Sequence, residues 1–207
     1  MNIPAGIKAV TDPKDMAAFL TGVRGEVGQS RGVLLPETTE AVAACVQHFN
    51  ASQTSFVAQS GNTGLVGASV PDSSGQQAVL SLSRLRETFE PDLANRSIRV
   101  STGFRLSEVN DRLAEHGRFF PIDLGSDPMI GGMVATNTGG TRLLRYGDVR
   151  QNLLGLEVLL RDGRRIEGLR RLRKNNTGLD LKQLFVGTSG AYGLVTQAVV
   201  QLVPRPS

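Results

Sequence analysis

The sequence holds one cysteine, two histidines, two tyrosines and no tryptophan in 207 residues. A single cysteine excludes an internal disulfide framework. With no H-x-x-x-H pair and no Cys/His cluster, the usual zinc spacings are missing and no metal centre is expected. No apolar run approaches the ~18 residues of a membrane-spanning helix, so no transmembrane segment is expected. The start, MNIPAGIKAVTDPKD, lacks the apolar stretch of a cleavable leader, which sets the expectation of a cytoplasmic protein, membrane-peripheral at most. Two nucleotide fingerprints are also missing: G-x-G-x-x-G of the Rossmann turn and Gly-Lys-Ser/Thr of the Walker loop.

What is present is glycine, 24 residues of 207, against a general usage of about 7 %. Many backbone positions therefore need either positive φ or the close approach of another group. The remaining composition, 40 % hydrophobic and 20 % charged, suits a soluble globular chain. Net charge is +4, and RDGRRIEGLRRLRK (161–174) carries seven of the Arg/Lys residues. Acidic residues interrupt that run and no aromatics interleave it, so it reads as a solvated hairpin, and no nucleic-acid partner is expected.

Periodicity divides the chain into two lobes, 1–95 and 96–207. In the first, a short helix within 12–28 precedes a strand at GVLLP (32–36). A helix over 39–49 follows, with Thr38 as N-cap and Glu40 in its first turn. Its apolar face, Val42, Cys45, Val46 and Phe49, places Cys45 in the core. Strands at SFVAQ (55–59) and QAVLSLSRL (77–85) complete a small parallel βαβ lobe. The second lobe reads as α+β with an antiparallel or mixed sheet. It has a strand at 96–103, a helix over 106–117 ended by Gly117, and two strands joined by Asp-Gly within 153–168. A short helix follows at 180–185 with Asp180 as N-cap, then a long final strand at 192–204. His48 and His116 fall on helices and read as structural.

Three glycine-rich stretches carry the candidate chemistry. AQSGNTGLVGAS (58–69) follows a strand and offers a run of backbone N–H groups at Ser60, Gly61, Asn62, Thr63 and Gly64, with hydroxyl and amide donors and no cation. Such a nest suits an anion, here a protein-buried diphosphate, though a purely structural turn fits it equally. GSDPMIGGMVATNTGG (125–140) and VGTSGAYGLVT (186–196) add two more. One stretch in the first lobe and two in the second suggest an elongated ligand, such as a dinucleotide, between lobes.

In this order, AQSGNTGLVG, PIDLGSDPMIGGMVATNTGG, LRYG, KNNTGLDLKQLFVG and GAYGLVT closely resemble the FAD-binding domain of the vanillyl-alcohol oxidase / p-cresol methylhydroxylase (PCMH-type) flavoproteins. The resemblance spans roughly residues 8–205 and is nearest the D-lactate, glycolate and D-2-hydroxyglutarate dehydrogenases. It implies two α/β lobes with FAD between them. It places Ser60, Gly61, Asn62, Thr63, Gly64 and Leu65 around the pyrophosphate, and Met129, Gly131 and Gly132 along the diphosphate and ribityl. Ala135, Thr136, Gly139 and Gly140 would line the flavin side, and Gly190, Gly193 and Val195 the cofactor at the last strand. Departures are Ser60 and Ala68, where the family often has glycine, and Ser189, where this branch usually has Glu. Asn62 stands where some members attach FAD through a histidine, so non-covalent FAD is expected.

The implied activity is oxidation of a D-2-hydroxy acid, with hydride passing to flavin N5. The catalytic and metal-binding histidines would lie in a C-terminal substrate domain or partner subunit, and none is expected within these residues. A non-catalytic flavin carrier and a different nucleotide-binding domain are the rival readings. Gly61 and Gly64 are expected at positive φ, and the Asn62 side chain as a cofactor donor.

Overall fold

The computed structural model describes residues 3–206; the outermost ends of both expected lobes lie outside them. In chain order the first part contains β1 (Lys8–Val10), α1 (Pro13–Leu20), β2 (Val33–Leu35), α2 (Thr39–Ala51), β3 (Phe56–Gln59) and β4 (Ala78–Ser81). These strands form a four-stranded sheet in the order β1-β2-β4-β3. β4 is parallel to both β2 and β3, and β1 is antiparallel to β2. Strand alternation sends Leu34, Ala78 and Leu80 to a core shared with α2, and Val33, Leu35 and Val79 to a smaller one under Met16 of α1. Thr38 caps α2 as expected, its hydroxyl accepting from the Ala41 N–H at 3.0 Å.

The second part comprises β5 (Phe89–Asp92), β6 (Ser97–Ser101), α3 (Leu106–Ala114), β7 (Arg118–Phe119), α4 (Ile130–Thr136), α5 (Leu143–Tyr146), α6 (Val149–Asn152), β8 (Leu153–Leu159), β9 (Arg165–Gly168), β10 (Leu194–Gln201) and β11 (Val203–Pro204). Five strands make an antiparallel sheet, β5-β6-β10-β8-β9, and β7 pairs with β11. Its hairpin β5–β6 begins at Phe89, ahead of the expected lobe boundary at residue 96. The main core lies between this sheet and helices α3 and α4.

Three local expectations change. The strand read over 77–85 stops at Ser81, because Leu82 and Leu85 are both buried at a spacing of three and the chain turns as a 3-10 helix, Leu82–Arg84. The segment at 180–185 is a 3-10 turn, Leu181–Leu184, and the Asp180 carboxylate bonds Lys182 instead of capping it. The final strand is broken into β10 and β11.

Leu159 and Leu194, from β8 and β10, pack into the α2 core and join the two sheets. A buried carboxylate reinforces the joint. Glu157 on β8 accepts from Thr196 Oγ1 at 2.7 Å, Gln197 Nε2 at 3.2 Å and Thr39 Oγ1, the first residue of α2, at 3.4 Å. Arg165 Nη1 stands 3.8 Å away. A buried charge is tolerated only with partners of this kind.

Candidate functional site

The loop after β3, the N-terminal part of α4 and the entry to β10 converge on one cavity of about 680 Å³. It is lined by every site residue expected from the sequence except Gly139 and Gly140. Gly140 plays a different part. At φ +78° it lets the chain cross Asp123, whose carbonyl a Cβ would approach to 2.3 Å. That crossing, with Thr141 N donating to Asp123 O at 2.8 Å, sets the neighbouring wall of Leu124, Gly125 and Ser126.

In the first loop, the N–H groups of Gly61, Asn62, Thr63, Gly64 and Leu65 donate to no other group among the described residues. Ser60 Oγ is buried with no partner, facing Gly131 and Gly132 of α4. Unpaired buried donors are rare in folded proteins and point to a ligand that satisfies them. No side chain lining the cavity is ionisable, so the donors that line it are neutral.

Two expectations at this loop are corrected. Neither Gly61 nor Gly64 has positive φ; Gly67 does. A Cβ on Gly61 would stand 3.2 Å from Met129 N, a tight contact, whereas Gly64 faces open space. The Asn62 side chain is not a free donor. At φ 50°, its Nδ2 donates to Thr21 O at 2.9 Å and Ala18 O at 3.4 Å, and its Oδ1 accepts from Ser69 Oγ at 2.8 Å. Gln59 Nε2 donates to Phe19 O at 2.8 Å, and Gly28 N to Leu20 O at 2.9 Å. Of the carbonyls that helix α1 leaves unpaired at its C-terminus, those of Ala18 and Phe19 are thus capped by the loop and strand of the cleft, and that of Leu20 by Gly28.

At α4, the Gly131 N–H is already used, donating to Thr102 O at 3.0 Å. A Cβ on Gly131 would stand 2.9 Å from the Thr102 side chain, so this glycine serves close packing of α4 on the sheet. At β10 the Val195 carbonyl accepts from Thr102 Oγ1 at 3.0 Å, and Gly193 packs where a Cβ would meet Val158 at 2.6 Å. Ser189, where the family branch usually has Glu, lines the cavity at φ 52°. Sequence reasoning did not pick out Val23, Leu82 or Phe185 as lining; they are apolar side chains, and only the fold brings them here. Gly125, Ser126 and Thr138 also line it and lay within a glycine-rich stretch already singled out. His48 and His116 lie outside the lining.

The sequence profile of the FAD binding domain matches residues 30–168. The chain belongs to this FAD-binding family. It is 40 % identical over 98 % of its length to a Schizosaccharomyces pombe protein inferred to be a mitochondrial D-lactate dehydrogenase. To the mitochondrial D-2-hydroxyglutarate dehydrogenase of Danio rerio it is 40 % identical over 96 % of its length. To a D-2-hydroxyglutarate–pyruvate transhydrogenase of Saccharomyces cerevisiae it is 38 % identical over 94 %. The chain spans 37–39 % of the length of these relatives. Among solved structures, an alkyldihydroxyacetonephosphate synthase superposes with a TM-score of 0.83 at 21 % identity, covering 96 % of this chain and 38 % of that one; the likeness is one of fold. The expectation of a cytoplasmic protein is overturned, since the S. pombe and Danio relatives are named as mitochondrial.

The residues of the cleft fit FAD, the cofactor for which the family is described. The orphaned Ser60 hydroxyl and the consecutive unpaired N–H groups match a diphosphate, and the uncharged lining of glycine and apolar side chains admits a long flat molecule without a buried charge of its own. Among the described residues no helix is long and apolar enough to cross a membrane.

Proposed function

We propose that this chain is the FAD-binding portion of a flavin-dependent oxidoreductase acting on a D-2-hydroxy acid of the lactate, glycolate or 2-hydroxyglutarate type, with the cofactor held non-covalently. The observation that carries the reading is the cleft itself: unpaired backbone donors from Gly61 to Leu65, the unpartnered Ser60 hydroxyl, and an uncharged lining drawn from both parts of the chain. The names of the relatives supply the substrate class. When bound, FAD supplies a two-electron acceptor for a hydride equivalent.

The chain's own residues bind and orient. The Gly61–Leu65 amides and the Ser60 hydroxyl hold diphosphate oxygens, Asn62 locks the loop to α1, and α4 and the β10 entry wall off water. Asn62 is a neutral amide engaged with Thr21, Ala18 and Ser69, which supports non-covalent attachment. With no ionisable group in the lining, the base that takes the substrate proton comes from a C-terminal substrate domain or a partner subunit. Val23, Leu65 and Val66, exposed at the mouth, suit a covering surface of that kind.

The test is purification and spectroscopy. The protein is expected yellow, with flavin released by acid; a colourless chain that takes up no FAD on refolding overturns the reading, and flavin that survives acid overturns the non-covalent mode. Mixing with D-lactate or D-2-hydroxyglutarate should leave the flavin of this chain oxidised, while a longer chain carrying the further domain bleaches. Bleaching by neither favours a non-catalytic flavin carrier.

A further inference from the structure

One side chain holds the cavity wall at 183–189 from behind. Arg150, on α6, donates through Nη1 to Gln183 Oε1 at 2.9 Å and Gln183 O at 3.3 Å, and through Nη2 to Val186 O at 2.7 Å. Its guanidinium therefore serves three oxygen acceptors, none of them a carboxylate. Its backbone N–H donates to Asn137 Oδ1 at 2.9 Å. Asn137 is the left-handed C-cap of α4, and its Nδ2 donates to Asp148 Oδ2 at 3.0 Å.

Arg150 so clamps two segments that both supply lining. Thr136 and Thr138 flank Asn137, while Phe185 and Ser189 flank the carbonyl of Val186. The same segments meet directly where Ser189 N donates to Ala135 O at 2.8 Å and Gly187 N to Val134 O at 3.1 Å. We propose that Arg150 is a positioning residue for cofactor binding, its planar fork setting the Phe185–Ser189 wall against α4. This rests on the FAD reading of the cleft. Lysine would keep the charge but not the planar fork that presents Nη1 to Gln183 and Nη2 to Val186.

The experiment compares wild type, Arg150→Lys, Arg150→Gln and Gln183→Ala. Hydrogen exchange of the FAD-free proteins reads the amides of 183–190, and titration with FAD reads affinity and the fine structure of the bound flavin's visible band. Both Arg150 variants are expected to quicken exchange at Gly187 and Ser189 and to weaken FAD by about tenfold, the worth of one or two charge-assisted hydrogen bonds. Gln183→Ala, which removes one acceptor and leaves Arg150 in place, should give a smaller loss of the same sign and keeps the test alive if the Arg150 variants do not fold. Full affinity in Arg150→Lys would overturn the role of the fork. A lower melting temperature with unchanged affinity and spectrum in Arg150→Gln, or no loss in Gln183→Ala, would overturn positioning altogether. If the wild type itself takes up no FAD, the functional reading falls, and unchanged exchange at 183–190 in the variants would overturn the clamp independently.

Discussion

Ser60 carries a buried hydroxyl at the cleft with nothing to bond, and the amides from Gly61 to Leu65 that follow donate to no group among the described residues. A polar group left unpaired costs stability until a ligand satisfies it. Ser60→Ala should therefore leave the FAD-free protein as stable or up to about 1 kcal/mol more so, while weakening FAD by about five- to tenfold. Urea unfolding and FAD titration together check this; a destabilised variant with full affinity would contradict it. Gly64 has open space beside it and no positive φ, so Gly64→Val should fold with an unchanged melting temperature yet lose FAD affinity by about tenfold or more, the cost of ~1.4 kcal/mol or more of overpacking. Asn62→Ala removes the amide that caps α1 and should cost the FAD-free protein about 1–2 kcal/mol, read by urea unfolding. The sequence singled out all three residues, and the structure lines the cleft with them. It misjudged how two of them act, because the φ of Gly64 and the partners of Asn62 depend on elements distant in the chain.

Helix α2 shows what periodicity reports well. Its i, i+3, i+4, i+7 face is buried as read, with Val42, Cys45, Val46 and Phe49 all in the core. Burial pushes the Cys45 thiol up to about 12, from its ordinary value of 9.0. The folded thiol keeps its proton where the unfolded one has lost it, so this contribution is complete below pH 9.0 and is lost as the pH climbs toward 12. Iodoacetamide at pH 8 should leave Cys45 unmodified in the native protein and modify it fully in urea, as mass spectrometry would show. Elements with weak local signals were not legible. Strand β5 reads FEPD, half exposed and holding Pro91, and exists because β6 pairs with it at the sheet edge. Helix α4 starts at Ile130-Gly131-Gly132, a poor helix sequence; burial of Ile130, Met133 and Val134 in the main core overrides propensity.

At the scale of the molecule, Leu159, Leu194 and the Glu157 cluster fasten two sheets of different construction, and the cleft opens where they meet. A ligand that touches both parts in the folded state only must stabilise the whole. FAD at a hundredfold excess over its Kd should raise the unfolding free energy by about 2.7 kcal/mol, with a single thermal transition reported alike by flavin fluorescence and far-UV circular dichroism. Two separate transitions, one insensitive to FAD, would show that the sheets unfold apart.

The sequence by itself determined the family, because an ordered series of glycine-rich motifs is a local property of the chain, and it determined the helices and strands whose apolar period is strong. Tertiary structure alone decided what each glycine is for. Gly131 and Gly193 admit close packing, Gly140 permits a chain crossing at Asp123, and Gly64 leaves room in the cleft. It also decided that Asn62 caps a helix and that Arg150 grips a wall. Each of these depends on distances between residues far apart in the chain, which composition and spacing do not contain.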